Sequence, residues 1–179
     1  MKKFTQTYAF LFSIAGAIIL LDQWTKYLVR TRLEFTQEWA PWPWLLPYAR
    51  IVHWNNTGAA FGLFQGLNPV FIVLAFIVSA LIIYFFPRVP RSEWMMRLAL
   101  SMQLGGAIGN LIDRLIYGTV TDFVSVGTFA VFNVADSCIT LGVVVLALDL
   151  LIKDRQEKAH QKQPPLPAAI AAPQEPAAP

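Results

Sequence analysis

Four long apolar stretches run along this chain, at residues 8–29, 69–86, 94–117 and 134–152, and the charged and proline residues gather between and beyond them. A stretch of about 20 apolar residues crosses a hydrocarbon core of about 30 Å as a helix, because lipid offers the backbone no hydrogen-bond partners. The pattern therefore predicts an all-α membrane protein of four transmembrane helices. The first stretch opens like a secretory signal, with Lys2 and Lys3 ahead of an apolar run. It then continues into Asp22-Gln23-Trp24-Thr25-Lys26, where a small-residue cleavage site would have to stand. It reads as a retained helix.

The basic residues set the orientation, since short cytoplasmic loops carry the excess of lysine and arginine. Lys2, Lys3, Arg88, Arg91, Arg97, Lys153, Arg155, Lys158 and Lys162 lie at the N-terminus, the second connection or the C-terminal end. Both termini are thus expected to be cytoplasmic, and residues 30–68 and 118–133 to face outward. The first of these outer segments holds Trp39, Trp42, Trp44, Tyr48 and Trp54 among Pro41, Pro43 and Pro47. Such aromatics favour the headgroup level. The segment is expected to lie on the membrane surface and to contain short strands, residues 48–54 among them. Residues 1–161 form one transmembrane domain on this reading, and 162–179, rich in Pro, Ala and Gln, a disordered cytoplasmic tail.

Composition agrees. Hydrophobic residues make up 56% and charged residues 14% of the chain, against the roughly one quarter charged that a soluble domain carries. The net charge of +3 does not point to nucleic acid, because the basic residues sit where orientation signals sit. The one cysteine, Cys138, has no partner for an intrachain disulfide and reads as a small apolar helix residue. No Cys/His cluster suggests a metal, and no cofactor is expected.

A charged side chain at the bilayer centre costs about 2.5 to 3.5 kcal/mol on insertion scales, so each intramembrane acid is a candidate for function. Asp149 lies close to the cytoplasmic Lys153 and reads as locally paired. Asp113 and Arg114, adjacent near the outer end of the third helix, read most simply as structural partners. Asp122 and Asp136 differ: each lies seven residues from Phe129, in the connection between two antiparallel helices, so they are expected at similar depth. Gly118 is suited to end the third helix, residues 119–126 are β-prone, and Asn133 is suited to cap the fourth helix.

Four segments in order resemble the bacterial lipoprotein signal peptidase family, also called signal peptidase II. They are Leu21-Asp22-Gln23-Trp24-Thr25-Lys26, Asn56-Thr57-Gly58-Ala59-Ala60-Phe61, the run from Gly105-Gly106 through Gly109-Asn110 to Asp113-Arg114, and Val120-Thr121-Asp122-Phe123 followed by Phe132-Asn133-Val134-Ala135-Asp136-Ser137. The resemblance implies a four-helix aspartyl endopeptidase of the bacterial inner membrane, its site toward the periplasm, acting on diacylglyceryl-modified prolipoproteins among membrane lipids. It implies Asp122 and Asp136 as the catalytic pair. Asp22, Lys26, Asn56, Gly58, Gly106, Asn110, Arg114 and Asn133 are implied to bind substrate or support the pair. Gly62 stands where a serine is common in the family. The oligomeric state is left open, with a monomer compatible.

The chemistry is coherent on the residues alone. Two carboxylates close together at low dielectric cannot both ionise, so one serves as base and the other as acid. Gly105, Gly106 and Gly109 also suit close helix packing, and Asn110 and Asn133 suit either interhelical hydrogen bonds or orientation of the acids. Two other classes compete: an ion- or proton-coupled transporter, which also uses intramembrane carboxylates, and a non-catalytic scaffold. Four helices with no evident repeat and acids near the outer end argue against the first. Two costly aspartates at one depth argue against the second.

Overall fold

A computed structural model describes residues 2–58 and 66–161 of the chain. Four helices carry it: α1 (Lys2–Arg32), α2 (Asn68–Phe85), α3 (Trp94–Tyr117) and α4 (Val134–Gln161). Three strands lie between them, β1 (Glu38–Trp39), β2 (Ala49–Asn56) and β3 (Val120–Val126). Short 3₁₀ turns occupy Pro43–Leu45 and Phe86–Arg88. The tail at 162–179 and residues 59–65, which include Phe61 and Gly62, lie outside the described residues.

The helices are longer than the apolar runs where nothing stops them. No Pro or Gly stands between Lys2 and Tyr8, and α1 begins there. α4 continues past Ile152 through charged residues that pair at helical spacing, Lys153 with Asp149 at 2.6 Å and Lys158 with Asp154 at 2.7 Å. Lys153 also pairs with Glu93 at the foot of α3. The stops are local chemistry. Gly118 ends α3 in the left-handed conformation, φ 74°, which a side chain would resist.

Three of the helices are long and apolar enough to cross a membrane, over Thr7–Arg32, Asn68–Arg88 and Val134–Ala159. α3 matches the expected third segment, residues 94–117, residue for residue, yet it falls short by composition among the described residues. Its position explains why. It packs against α1, α2 and α4 at once, so its polar residues Arg97, Ser101, Asn110 and Asp113 are buried against protein rather than lipid. The outward faces of the other helices show the reverse: Phe12, Leu20, Val73, Phe76 and Leu150 are exposed while Asp22, Lys26 and Asp113 are fully buried. Apolar outside and ionisable inside is the arrangement of a protein whose solvent is lipid.

Arg97, counted above among the orientation signals, is not at the surface. It is 5% exposed, donates to the carbonyls of Val89 and Thr7, and lies over the Phe86 ring at 4.4 Å. It ties α1, the α2–α3 connection and α3 together beside the core cluster of Leu11, Ala15, Ile82, Phe86 and Leu104.

At the other end the strands form one antiparallel sheet in the order β1-β2-β3. β2 bears out the predicted strand and β3 the β-prone run. A register shift between Ile51 and Trp54 places Trp54 opposite Asp122 and Asn56 opposite Val120. The aromatics Trp39, Trp42, Trp44 and Tyr48 are exposed, with Trp42 and Trp44 stacked at 6.0 Å.

Candidate active site

Two glycines let the helices come close enough to form a site. A Cβ on Gly109 would stand 2.7 Å from Asp22 Oδ2, and one on Gly106 would stand 2.5 Å from the Ala135 carbonyl. Neither can be accommodated without moving backbone or a buried carboxylate. Gly106 thus sets how near α3 lies to the first turn of α4, which carries Asp136.

The start of α4 is built by reciprocal capping. Asn133 Oδ1 accepts from the Asp136 N–H at 2.9 Å, and the Asn133 N–H donates to Asp136 Oδ2 at 3.3 Å. The same Asn133 donates through Nδ2 to Asp122 Oδ1 at 2.6 Å. One residue therefore touches both aspartates, one on β3 and the other on α4. Asp122 is almost fully buried and Asp136 half-buried.

Each of the other carboxylate oxygens also has one donor. Asn56, at the end of β2, donates to Asp122 Oδ2 at 2.9 Å, diagonally across the β2–β3 pairing. Asn110, on α3, donates to Asp136 Oδ1 at 2.7 Å. The orientation of each amide follows from what its oxygen accepts. Asn56 Oδ1 takes the Gly58 N–H at 2.9 Å, and Asn110 Oδ1 takes Lys26 Nζ at 2.9 Å and Asn133 Nδ2 at 3.1 Å. Burial, then the neighbouring Asp136, push the Asp122 carboxyl up from its ordinary 3.8 to about 7. The hydrogen bonds from Asn56 and Asn133 and the charge of Lys26 oppose that rise.

Behind the aspartates lies a buried ionic cluster. Lys26 Nζ is 2.8 Å from Asp22 Oδ2 and 3.6 Å from Asp113 Oδ2, all three residues being 0% exposed. Asp22 Oδ1 accepts the Ala135 N–H at 3.0 Å, which holds the first turn of α4 to α1. Asp113 pairs with Arg30 at 3.4 Å and accepts from the Thr121 N–H at 2.9 Å, which holds β3 to α3. Gln23 donates to both acids.

Asp113 and Arg114 are therefore not each other's partners, contrary to the sequence expectation. Consecutive helix residues point about 100° apart, so Asp113 faces α1 while Arg114 faces the other way. Arg114 lies over the Phe71 ring at 5.0 Å and donates to the Gly58 carbonyl at 3.5 Å. Gln23, Arg30 and Thr121 were missed. Arg30 had a legible signal, since 22, 26 and 30 repeat at i, i+4, i+8 on one face of α1.

Two cavities meet at the site. One of about 570 Å³ runs between the β3–α4 connection and α4, walled by Phe129, Phe132, Ile139 and Leu141. The other, about 370 Å³, runs between α2 and α3 along Phe71, Leu74, Val78 and Ala107. Gly58, Arg114 and Asp136 border both. The arrangement offers a carboxylate at the junction of two apolar grooves, with a second carboxyl behind it.

The chain is similar to known proteins over most of its length. A lipoprotein signal peptidase of Shouchella clausii is 41% identical over 146 residues, covering 81% of this chain and 95% of the relative. One of Mesorhizobium japonicum is 37% identical over 151 residues, covering 82% and 88%. A bacterial membrane enzyme solved by the in meso method at 2.3 Å superposes with a TM-score of 0.75 at 29% identity, covering 88% of this chain and 94% of that one. A second such enzyme, at 1.9 Å, superposes with a TM-score of 0.70 at 32% identity over 79% and 92%. The family described as signal peptidase (SPase) II matches residues 14–152, and this chain belongs to it.

Proposed function

We propose that this peptidase is a membrane-embedded aspartyl endopeptidase that removes the signal peptide from diacylglyceryl-modified prolipoproteins, cutting N-terminal to the lipidated cysteine. The observation that carries the reading is the placement of Asp122 and Asp136 on one asparagine, Asn133, with all four carboxylate oxygens already held by donors. Two carboxylates tied to one residue, with Asp136 adding to the burial that favours the protonated Asp122, share a proton. The ionised member takes a proton from water, which attacks the scissile carbonyl. The protonated member hydrogen-bonds the carbonyl oxygen, and a proton then passes to the leaving amine. Asp22, Lys26, Asn110 and Asn133 position the pair, while Asn56, Gly58 and Arg114 face the substrate.

In this reading α3 is a fourth membrane helix sheltered by the other three, residues 1–161 are one unit, both termini are cytoplasmic, and the sheet lies at the periplasmic face of the inner membrane. The exposed Trp39, Trp42 and Trp44 support that placement, since indoles favour the interface. The two apolar grooves support a lipid-bearing substrate, each buried CH₂ contributing about 0.8 kcal/mol. The test compares one precursor with and without its diacylglyceryl group. The lipidated form should show kcat/KM higher by about 10²-fold or more; equal values would remove lipid recognition from the account.

A further inference from the structure

Of the two aspartates, only Asp136 is placed on a helix N-terminus and at the end of a chain of donors that leads back to a cation. It occupies the first turn of α4, where the helix dipole favours a carboxylate, and its Oδ2 receives a backbone N–H. Its Oδ1 receives Asn110 Nδ2, and that amide has no freedom to turn over. Asn110 Oδ1 is held by the Lys26 ammonium at 2.9 Å and by Asn133 Nδ2 at 3.1 Å, so a flipped amide would set its NH₂ against two donors. Among the described residues Asp122, on a strand, receives two neutral side-chain amides.

Lys26 is the buried side chain that this asymmetry depends on. It is fully enclosed, and it sits beside two carboxylates that do not need it for their hydrogen bonds. Asp22 keeps the Ala135 N–H and Gln23; Asp113 keeps Arg30, Gln23 and the Thr121 N–H. At Asn110 Oδ1, by contrast, Lys26 is the charged donor, and the neutral Asn133 amide is the other.

We propose that Lys26 is a positioning residue for the dyad: through Asn110 it fixes the amide that donates to Asp136, which makes Asp136 the base and leaves the shared proton on Asp122. This rests on the dyad reading above. The sign is simple. A cation and an oriented donor favour the carboxylate, so removing either lets the base hold a proton at higher pH. The charged groups around Asp136 are Asp22 and Arg30 on α1, Asp113 and Arg114 on α3 and Asp122 on β3. All of them stay in place in the variants below, which isolates Lys26 and Asn110.

The experiment measures kcat/KM against pH for the full-length protein in detergent, with a lipidated precursor peptide, for the wild type, Lys26→Arg, Lys26→Met and Asn110→Ala. The acidic limb is expected to move to higher pH by about one unit in Lys26→Met. It should move in the same direction in Asn110→Ala and stay in place in Lys26→Arg. If Lys26→Met does not fold, Asn110→Ala decides alone, because it leaves the ionic cluster intact. An unmoved limb in Asn110→Ala, with activity lowered equally at every pH, overturns the proposal, as does an equal displacement in Lys26→Arg and Lys26→Met. Failure of the dyad itself would appear separately, as cleavage retained by Asp136→Asn.

Discussion

Asn133 Nδ2 stands 2.6 Å from Asp122 Oδ1, while the same residue's backbone and side-chain oxygen clasp the first turn of α4 that carries Asp136. One residue thus ties together two aspartates that stand on different elements. Asn133→Asp separates its two tasks. The variant keeps an oxygen to cap α4 but replaces the donor to Asp122 with an acceptor. Cleavage should fall by about 10²-fold or more through lost positioning, with the helix content by circular dichroism unchanged. Activity within a factor of two of wild type would contradict the role.

Asp122 gives a pH-dependent stability. Its carboxyl in the folded protein is pushed up to about 7 from an ordinary 3.8, so it folds protonated where the unfolded chain would be ionised. The folded state therefore loses stability as pH rises from about 4 to 7, and the full cost is present above 7. Asp122→Asn cannot ionise. Whatever constant offset the amide introduces, the variant's unfolding temperature in detergent should gain on the wild type between pH 4 and pH 8. A difference independent of pH would show that burial does not strain this carboxyl.

Arg97 holds two backbone carbonyls on separate segments, at 3.0 and 3.3 Å, beside a core aromatic ring. Arg97→Ala should destabilise by about 3 kcal/mol, since charged hydrogen bonds each contribute about 1.5–3 kcal/mol and the carbonyls would be left buried. Arg97→Lys should recover only part, because one ammonium does not span both. Thermal unfolding in detergent checks this; an unchanged midpoint in Arg97→Ala would show the contacts to be incidental.

Topology can be read by labelling. With the sheet at the outer face, cysteines at Thr36 and Thr128 should react with an impermeant thiol reagent in cells whose outer membrane is permeabilised, and one at Arg91 should not. The reverse pattern would invert the protein.

Much of the fold was legible because its signals are local. The apolar runs marked the helices, a glycine ended α3 and an asparagine opened α4, each for reasons that need no tertiary structure. The pairing of Asp122 with Asp136 was approachable because a short connection forces both near one end of the bundle. Other parts depend on packing. The ion-pair partners of Asp113 are Lys26 and Arg30, the latter 83 residues away, and adjacency in sequence pointed instead to Arg114. Asn56 reaches Asp122 only because β2 shifts register between Ile51 and Trp54, which no periodicity reveals. α3 shows the same limit. Its polar residues lower its apparent fitness for lipid, and only the ring of three helices around it explains their burial.

The proposed cleavage depends on Asp122 and Asp136 acting together. Its most direct test is the rate at which purified Asp122→Asn and Asp136→Asn release the signal peptide from a diacylglyceryl-modified precursor, with Asp149→Asn as the control. Asp149 lies beside Lys153 and away from the pair, so its variant should cleave at close to the wild-type rate. Both dyad variants should be inserted and folded yet lose at least about 10³-fold in kcat, since an amide keeps the shape but neither accepts nor donates the proton. Substantial turnover by either dyad variant would contradict the account.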